Sequence, residues 1–261
     1  MRLLLLLSAL LTTIGSAHAA DWHVLPDTAR RAGAQTRNAP EATAVPRIIN
    51  GVFTAAYPAV ARLTIWTEDS VGLCTGTLVA PSTILTAAHC VADGPVEIDA
   101  DFFPTATTGI SYAVVAYAIH PEYRPNDADL AVLWLEAPVV GITPVQLAGW
   151  KPRPRTVGTI VGYGLDEVGN LGVKEMGSVR LKRCPRRVPA LELWPGDLAR
   201  DLCWSRRSWQ QDTCKGDSGG PLLIGGALAG VTSAGDANCT GFLSWDTNVV
   251  EFLPWITSML L

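Results

Sequence analysis

From residue 48 onward the sequence breaks into short apolar runs, at 61–66, 74–80, 112–119, 130–135, 156–163 and 221–232, separated by turn-forming residues. Runs of this length are strand-sized, and few helical periods persist among them, so the pattern restricts the chain to an all-β sandwich or barrel. Lys151-Pro152-Arg153-Pro154-Arg155 interrupts the series near its middle. Proline donates nothing to a strand ladder, and two prolines in four residues fit a connector, placed near 148–156, between two β units. Residues 248–261 are expected to form a closing helix, with Pro254 the residue that opposes it.

At 48% hydrophobic residues over 261 positions, the chain has ample material for a core, and disorder throughout is excluded. Met1-Arg2, the apolar run 3–11 and Ala17-His18-Ala19 have the charge, apolar centre and small-residue site of a secretory signal peptide, residues 1–19. That run falls well short of the ~20 apolar residues that span a bilayer. Residues 20–47 are rich in Ala, Arg and Pro and poor in bulky apolar side chains, which predicts a flexible, exposed pro-segment. Export places the six cysteines in an oxidising compartment, where an even count reads as three disulfides whose pairing the spacing leaves open. There is no Cys-x-x-Cys pair and the four histidines are scattered, which argues against zinc. A net charge of −4, mixed in sign, argues against nucleic acid as a partner.

The stretch 212–221, Asp-Thr-Cys-Lys-Gly-Asp-Ser-Gly-Gly-Pro, has the make-up of a nucleophile loop. A serine hydroxyl needs a neighbouring base and donors for the oxyanion it creates. Gly216 and Gly219 give the backbone the freedom to offer the N–H groups of Gly216 and Ser218 to a substrate carbonyl. A bare Gly-x-Ser-Gly is explained by turn chemistry alone, but ten such residues are harder to dismiss. Two histidines survive processing, His89 and His120, so the base is one of them. Asp127 and Asp129 are both candidates to orient it. Asp129 directly precedes the apolar run 130–135, which can hold its carboxylate at a rigid, shielded edge.

Residues 216–221 resemble the active-serine motif of the trypsin and chymotrypsin family of serine proteases. Thr86-Ala87-Ala88-His89-Cys90 is similar to its histidine motif, Asp129-Leu130-Ala131 to its aspartate motif, and Arg47-Ile48-Ile49-Asn50-Gly51 to its activation junction. The resemblance covers residues 48–261. It implies two antiparallel Greek-key β-barrels with the active site between them and a C-terminal helix. It further implies a triad of His89, Asp129 and Ser218 in the family's chain order, and an oxyanion hole at Gly216 and Ser218. The disulfides it implies are Cys74 with Cys90, Cys184 with Cys203, and Cys214 with Cys239. Cleavage after Arg47 would free the amino group of Ile48 to pair with Asp217. Asp212 would form the base of a pocket for Arg or Lys, Ser233 would support Asp129, and Ser233 and Gly235 would line the substrate cleft. The expected protein is a secreted, monomeric endopeptidase without metal or cofactor. It would act on proteins or peptides, take a protein inhibitor as a further candidate partner, and keep no membrane contact after signal removal.

The departures are specific. One family disulfide is replaced by Gly158 and Ile224, and the tryptophan usual after the supporting serine is Ala234, which would widen the cleft wall. The far wall of the pocket falls to Gly241 or Ser244. Arg180, Lys182, Arg183, Arg186 and Arg187 around Cys184 read as a solvated basic face. Glu97, Asp99 and Asp101 do not reproduce a calcium loop. Asn238-Cys239-Thr240 is a glycosylation sequon whose cysteine is expected to be bonded. Two other readings stay open: a catalytically silent relative that uses the same scaffold for binding, and a protease of different primary specificity.

Overall fold

The computed structural model describes residues 22–26, 35–38, 48–103, 108–125, 127–164, 173–185, 200–205, 211–235, 239 and 243–260. The signal residues 1–19, Arg47, Arg186, Arg187, Asn238, Thr240 and Gly241 lie outside these. Strands β1 (Trp22–Val24), β2 (Gln35–Asn38) and β3 (Val52–Phe53) precede the main body. The first barrel then comprises β4 (Val60–Trp66), β5 (Val71–Ala80), β6 (Thr83–Thr86), β7 (Glu97–Phe102), β8 (Thr108–Ile119) and β9 (Ala131–Leu135). In β4 the period of two is plain, with Ala61, Leu63 and Ile65 buried and Arg62, Thr64 and Trp66 between them partly exposed. Because β8 and β9, the two ends of the path β8-β7-β4-β5-β6-β9, also pair with each other, the six strands close into a barrel of order β4-β5-β6-β9-β8-β7. β6 is followed in space by β9 while β7 returns beside β4, which is a Greek-key path.

The second unit holds β10 (Val157–Gly162), β11 (Glu175–Arg180), β12 (Asp201–Trp204), β13 (Pro221–Ile224), β14 (Ala227–Gly235) and β15 (Ser244–Asn248). Its strand order is β12-β15-β14-β13-β10-β11, with β3 beyond β11. A bridge between Lys182 and Cys203 draws the two ends of that path together, and the Cys184–Cys203 disulfide lies on the same seam. The run 221–232 is two strands rather than one. Gly225 and Gly226, at φ 61° and 84°, reverse the chain between them, a turn that L side chains would resist. The tail is helical as expected, a 3₁₀ turn over Val249–Phe252 running into α1 (Leu253–Ser258). Pro254 sits in the first turn of α1, where its missing N–H removes no helical bond.

One core cluster joins the halves: Leu85, Leu130 and Trp134 of the first unit pack with Val161, Leu223 and Val231 of the second and with Phe252, Ile256 and Met259 of the tail. Continuous apolar packing of this kind resists relative motion of the two units. One expectation is corrected here. Residues 20–47 are not flexible and exposed throughout, since β1 and β2 both pair with β8. The segment has few bulky apolar residues, but Trp22 and Leu25 are placed to use them.

Candidate active site

The two units present their functional residues to one cleft. β6 ends at Thr86, the buried Ala87 and Ala88 follow, and a single 3₁₀ turn (Ala88–Cys90) sets His89 at the rim of the first barrel. The Cys74–Cys90 disulfide pins that turn to β5. Asp129 sits just before β9, after Ala128 at φ 48°. Its side chain is almost fully buried, and its two oxygens are shared out. Oδ1 accepts the His89 backbone N–H at 2.9 Å. Oδ2 lies 2.7 Å from His89 Nδ1 and accepts the Ser233 hydroxyl at 2.6 Å.

This arrangement fixes the ring and its electronics together. Burial pushes the His89 pKa down, but the hydrogen bond and charge of Asp129, with Asp93 farther off, outweigh it, so the imidazolium is favoured relative to a free histidine. Asp127 is not the orienter, because its carboxylate lies 3.4 Å from the Arg200 guanidinium. His120, read from sequence as a residue of the loop, is buried edge-on against Phe252 and Trp255. Burial lowers its pKa to about 4, so it stays neutral and structural at ordinary pH.

The nucleophile loop comes from the second unit. The Thr75 N–H donates to the Ser218 carbonyl at 2.8 Å, and the Thr75 hydroxyl donates to the Gly216 carbonyl at 2.9 Å while accepting the Tyr163 N–H at 3.1 Å. Gly216 has φ 92°, and Gly219 at φ 79° lies so close to β6 that a Cβ there would meet Thr86 Oγ1 at 2.1 Å. Both positions demand glycine for conformation and for space, since a Cβ on Gly216 would come 2.9 Å from the Gly164 Cα. Ser218 stands where two cavities meet. One, of about 270 Å³, is shared with His89, Cys90 and Gly216. The other, of about 150 Å³, is lined by Thr213, Thr232, Ser233, Ala234 and Gly235. The sulfurs of Cys74 and Cys90 beside His89 are bonded to each other and so offer no thiolate to a metal. Asp101 of the β7 acidic residues is engaged by Arg62 at 2.7 Å.

Asp212 directly precedes Thr213 of the second cavity's lining and is only 1% exposed. Its Oδ1 accepts the Trp204 indole N–H at 3.0 Å, the Thr213 N–H at 2.9 Å and the Ser244 hydroxyl at 2.6 Å. Of the two candidates for the far wall, Ser244 is thus in contact with the carboxylate. The third disulfide, Cys214–Cys239, ties the same region. Ala234 lines the second cavity, and its neighbour across the ladder is a large buried ring. Trp245 stands directly opposite Ala234 in the β14–β15 ladder, packs against it and is 3% exposed.

In this uncut chain the Ile48 nitrogen does not reach Asp217. Ile48 is fully buried and its N–H donates to Glu175 Oε2 at 2.8 Å. Asp217, also buried, accepts the N–H of Gly164 at 2.8 Å and of Cys214 at 2.9 Å. Desolvation nonetheless pushes its pKa up to about 7, with the nearby carboxylates of Glu175 and Asp212 adding to the rise. No sequence signal singled out Glu175, Thr75, Trp204 or Trp245, because each is an ordinary strand residue until the ladders bring it to the site.

A trypsin family model matches residues 48–256. A trypsin of Saccharopolyspora erythraea is 33% identical over 65% of this chain and 78% of its own. Human granzyme M is 32% identical over 70% of this chain and 78% of its own, and brachyurin of Leptuca pugilator 30% over 80% and 96%. The solved structure of neuropsin, a serine protease of mouse brain, superposes with a TM-score of 0.66 at 25% identity, covering 81% of this chain and 99% of its own. With the family matched across both β units and the cleft between them, the chain belongs to the trypsin family and is a serine endopeptidase.

Proposed function

We propose that this endopeptidase is exported as a zymogen, is switched on by cleavage after Arg47, and cuts peptide bonds after Arg or Lys through an acyl-enzyme on Ser218. His89 takes the Ser218 proton as the oxygen attacks the scissile carbonyl, and the N–H groups of Gly216 and Ser218 receive the oxyanion. His89 then protonates the leaving amine, and water repeats the sequence on the acyl group. The observation that carries this reading is the relay Ser233 to Asp129 to His89, opening on the cleft that holds Ser218. Labelling of Ser218 by a fluorophosphonate, lost in Ser218→Ala, tests it. An unlabelled, processed protein would favour the silent binding relative instead.

Cleavage would turn the buried Ile48 amide into an ammonium between two buried carboxylates, Glu175 and Asp217. A buried acid near neutral pKa is a poor resident without a cation, and the new charge supplies one. We infer that this pairing orders the oxyanion loop. Export is supported by the signal-like start and by three disulfides, and no helix among the described residues is long and apolar enough to cross a membrane.

Arg or Lys preference rests on the buried carboxylate of Asp212, which accepts the N–H of Thr213 in the second cavity's lining. One observation favours a second reading. The Ser244 hydroxyl already occupies Oδ1, and the cavity is small, which suits a compact neutral side chain before the scissile bond. Peptides that differ only in Arg, Lys, Ala, Phe or Glu at that position separate the two, and preference for Ala, Phe or Glu would end the basic assignment.

A further inference from the structure

Two short stretches of the pro-segment pair with β8 as added strands, with Trp22 still 52% exposed and Val24 70%. β8 turns the corner of the first barrel, its residues 110–113 pairing with β7 and its residues 114–119 with β9. Each half of β8 therefore has one ladder edge that the barrel leaves over. β1 takes the edge of the C-terminal half, with Trp22 opposite Ala118, His23 opposite Tyr117 and Val24 opposite Ala116. β2 takes the edge of the other half, Gln35 opposite Ser111 through Asn38 opposite Thr108.

Alternation along β1 gives each face a partner. On one face Trp22 stands beside Ala118 and Ala116, whose small side chains let its indole reach across β8 to Trp134. The two rings stack with centroids 4.0 Å apart and planes 8° from parallel. Trp134 is itself held in place, since its indole N–H donates to the Met259 carbonyl at 3.0 Å. On the other face His23 stacks on Tyr117 at 4.7 Å. Leu25 follows, 4% exposed within the first-barrel core, and its N–H donates to the Val115 carbonyl at 3.0 Å. None of the six cysteines lies in residues 20–47, so a cut after Arg47 leaves no covalent tie.

We propose that residues 20–47 stay on β8 after that cut, so that the active enzyme is a two-chain complex with the pro-segment as a noncovalent added strand. The cut itself rests on the activation reading above, whereas the docking rests on contacts that the cut does not touch. Retention has two uses. It covers a ladder edge that would otherwise template pairing with other chains. It also braces the β8–β9 pair, from which Asp129 emerges and across which the His120 N–H donates to the Leu130 carbonyl.

The test uses residues 20–261 carrying Ser218→Ala, with residues 43–47 replaced by the recognition sequence of a site-specific protease so that the nick falls before Ile48. After nicking, the fragment that starts at residue 20 is expected to co-elute with 48–261 on size-exclusion chromatography and to be seen there by mass spectrometry. Trp22→Ala with Leu25→Ala is expected to release it, and a labelled synthetic 20–47 peptide carrying both changes should bind 48–261 at least about tenfold more weakly than the natural one. Separate elution of the unsubstituted fragment, or equal binding by both peptides, would overturn the proposal. Whether the natural chain is cut after Arg47 is read in a separate arm, by adding active enzyme to Ser218→Ala protein of natural sequence, so the activation reading fails or stands on its own.

Discussion

Ile49 and Asp212 exchange backbone hydrogen bonds, 2.9 Å from the Ile49 N–H to the Asp212 carbonyl and 3.3 Å in return. The residue just past the proposed activation site is thereby laddered to the residue proposed to set specificity. Ile48, one position earlier, donates to Glu175. If cleavage after Arg47 frees Ile48 as proposed, the new terminus lies two short backbone steps from Asp212, and a coupling between activation and substrate binding is the expected outcome.

Glu175→Gln tests that coupling. An ordinary α-amino group titrates near ~7.7–8.0. Pairing with carboxylates raises the value, so its contribution is complete below the unpaired pKa and lost as pH climbs through the raised one. Removing one carboxylate should shift the alkaline limit of kcat/KM in the cleaved enzyme down by about one pH unit. An unmoved limit would leave Glu175 as a partner of the uncut chain only.

In the uncut chain Asp217 should make stability fall with pH. Its folded pKa of about 7 lies above the ordinary aspartate value of 3.8. Between those pH values the folded state holds a proton that the unfolded state has lost, so stability declines as pH rises, by on the order of a few kcal/mol. Thermal melts of uncut Ser218→Ala protein from pH 4 to 7 should show the decline, and cleavage at Arg47 should reduce it.

Asp212→Ser should lower cleavage after Arg by roughly two orders of magnitude or more, the cost of losing a buried charge partner. Ser244→Gly should act in the opposite sense. It removes the hydroxyl that holds Oδ1 at 2.6 Å, and kcat/KM for Arg peptides should rise about tenfold. If Ala peptides gain instead, the pocket serves small residues.

How far the sequence could be read differs by element. The runs at 61–66 and 112–119 lie inside β4 and β8, the first because its apolar residues alternate and the second because its apolar content is continuous. β11, β12 and β15 went unseen, since Glu175, Asp201 and Asp246 are buried charges that no hydropathy pattern assigns to a strand. His89, Asp129 and Ser218 were legible because each sits in a motif that its chemistry shapes. Glu175 was not, because only folding brings it 127 positions back to Ile48. The packing of Ala234 was equally out of view, because its neighbour Trp245 stands across the ladder, eleven positions on in the chain.

That cross-strand contact makes Trp245→Ala informative. The ring is 3% exposed against Ala234, Cys203 and Leu243, and its loss should cost about 3–5 kcal/mol in chemical unfolding. Ala234→Trp in the same background should recover part of that loss. No recovery would mean that the two positions do not share one space.

The Trp134 to Met259 hydrogen bond has a consequence in time. Domains generally fold as they are made, so the first barrel can close while the ribosome is still at work. Phe252, Ile256 and Met259 nevertheless complete the packing between the halves, and they lie within the last ten residues of the sequence. Until the tail has emerged and docked, a nascent chain lacks part of the packing that joins the two halves, so His89 of the first and Ser218 of the second come to face one cleft late in folding.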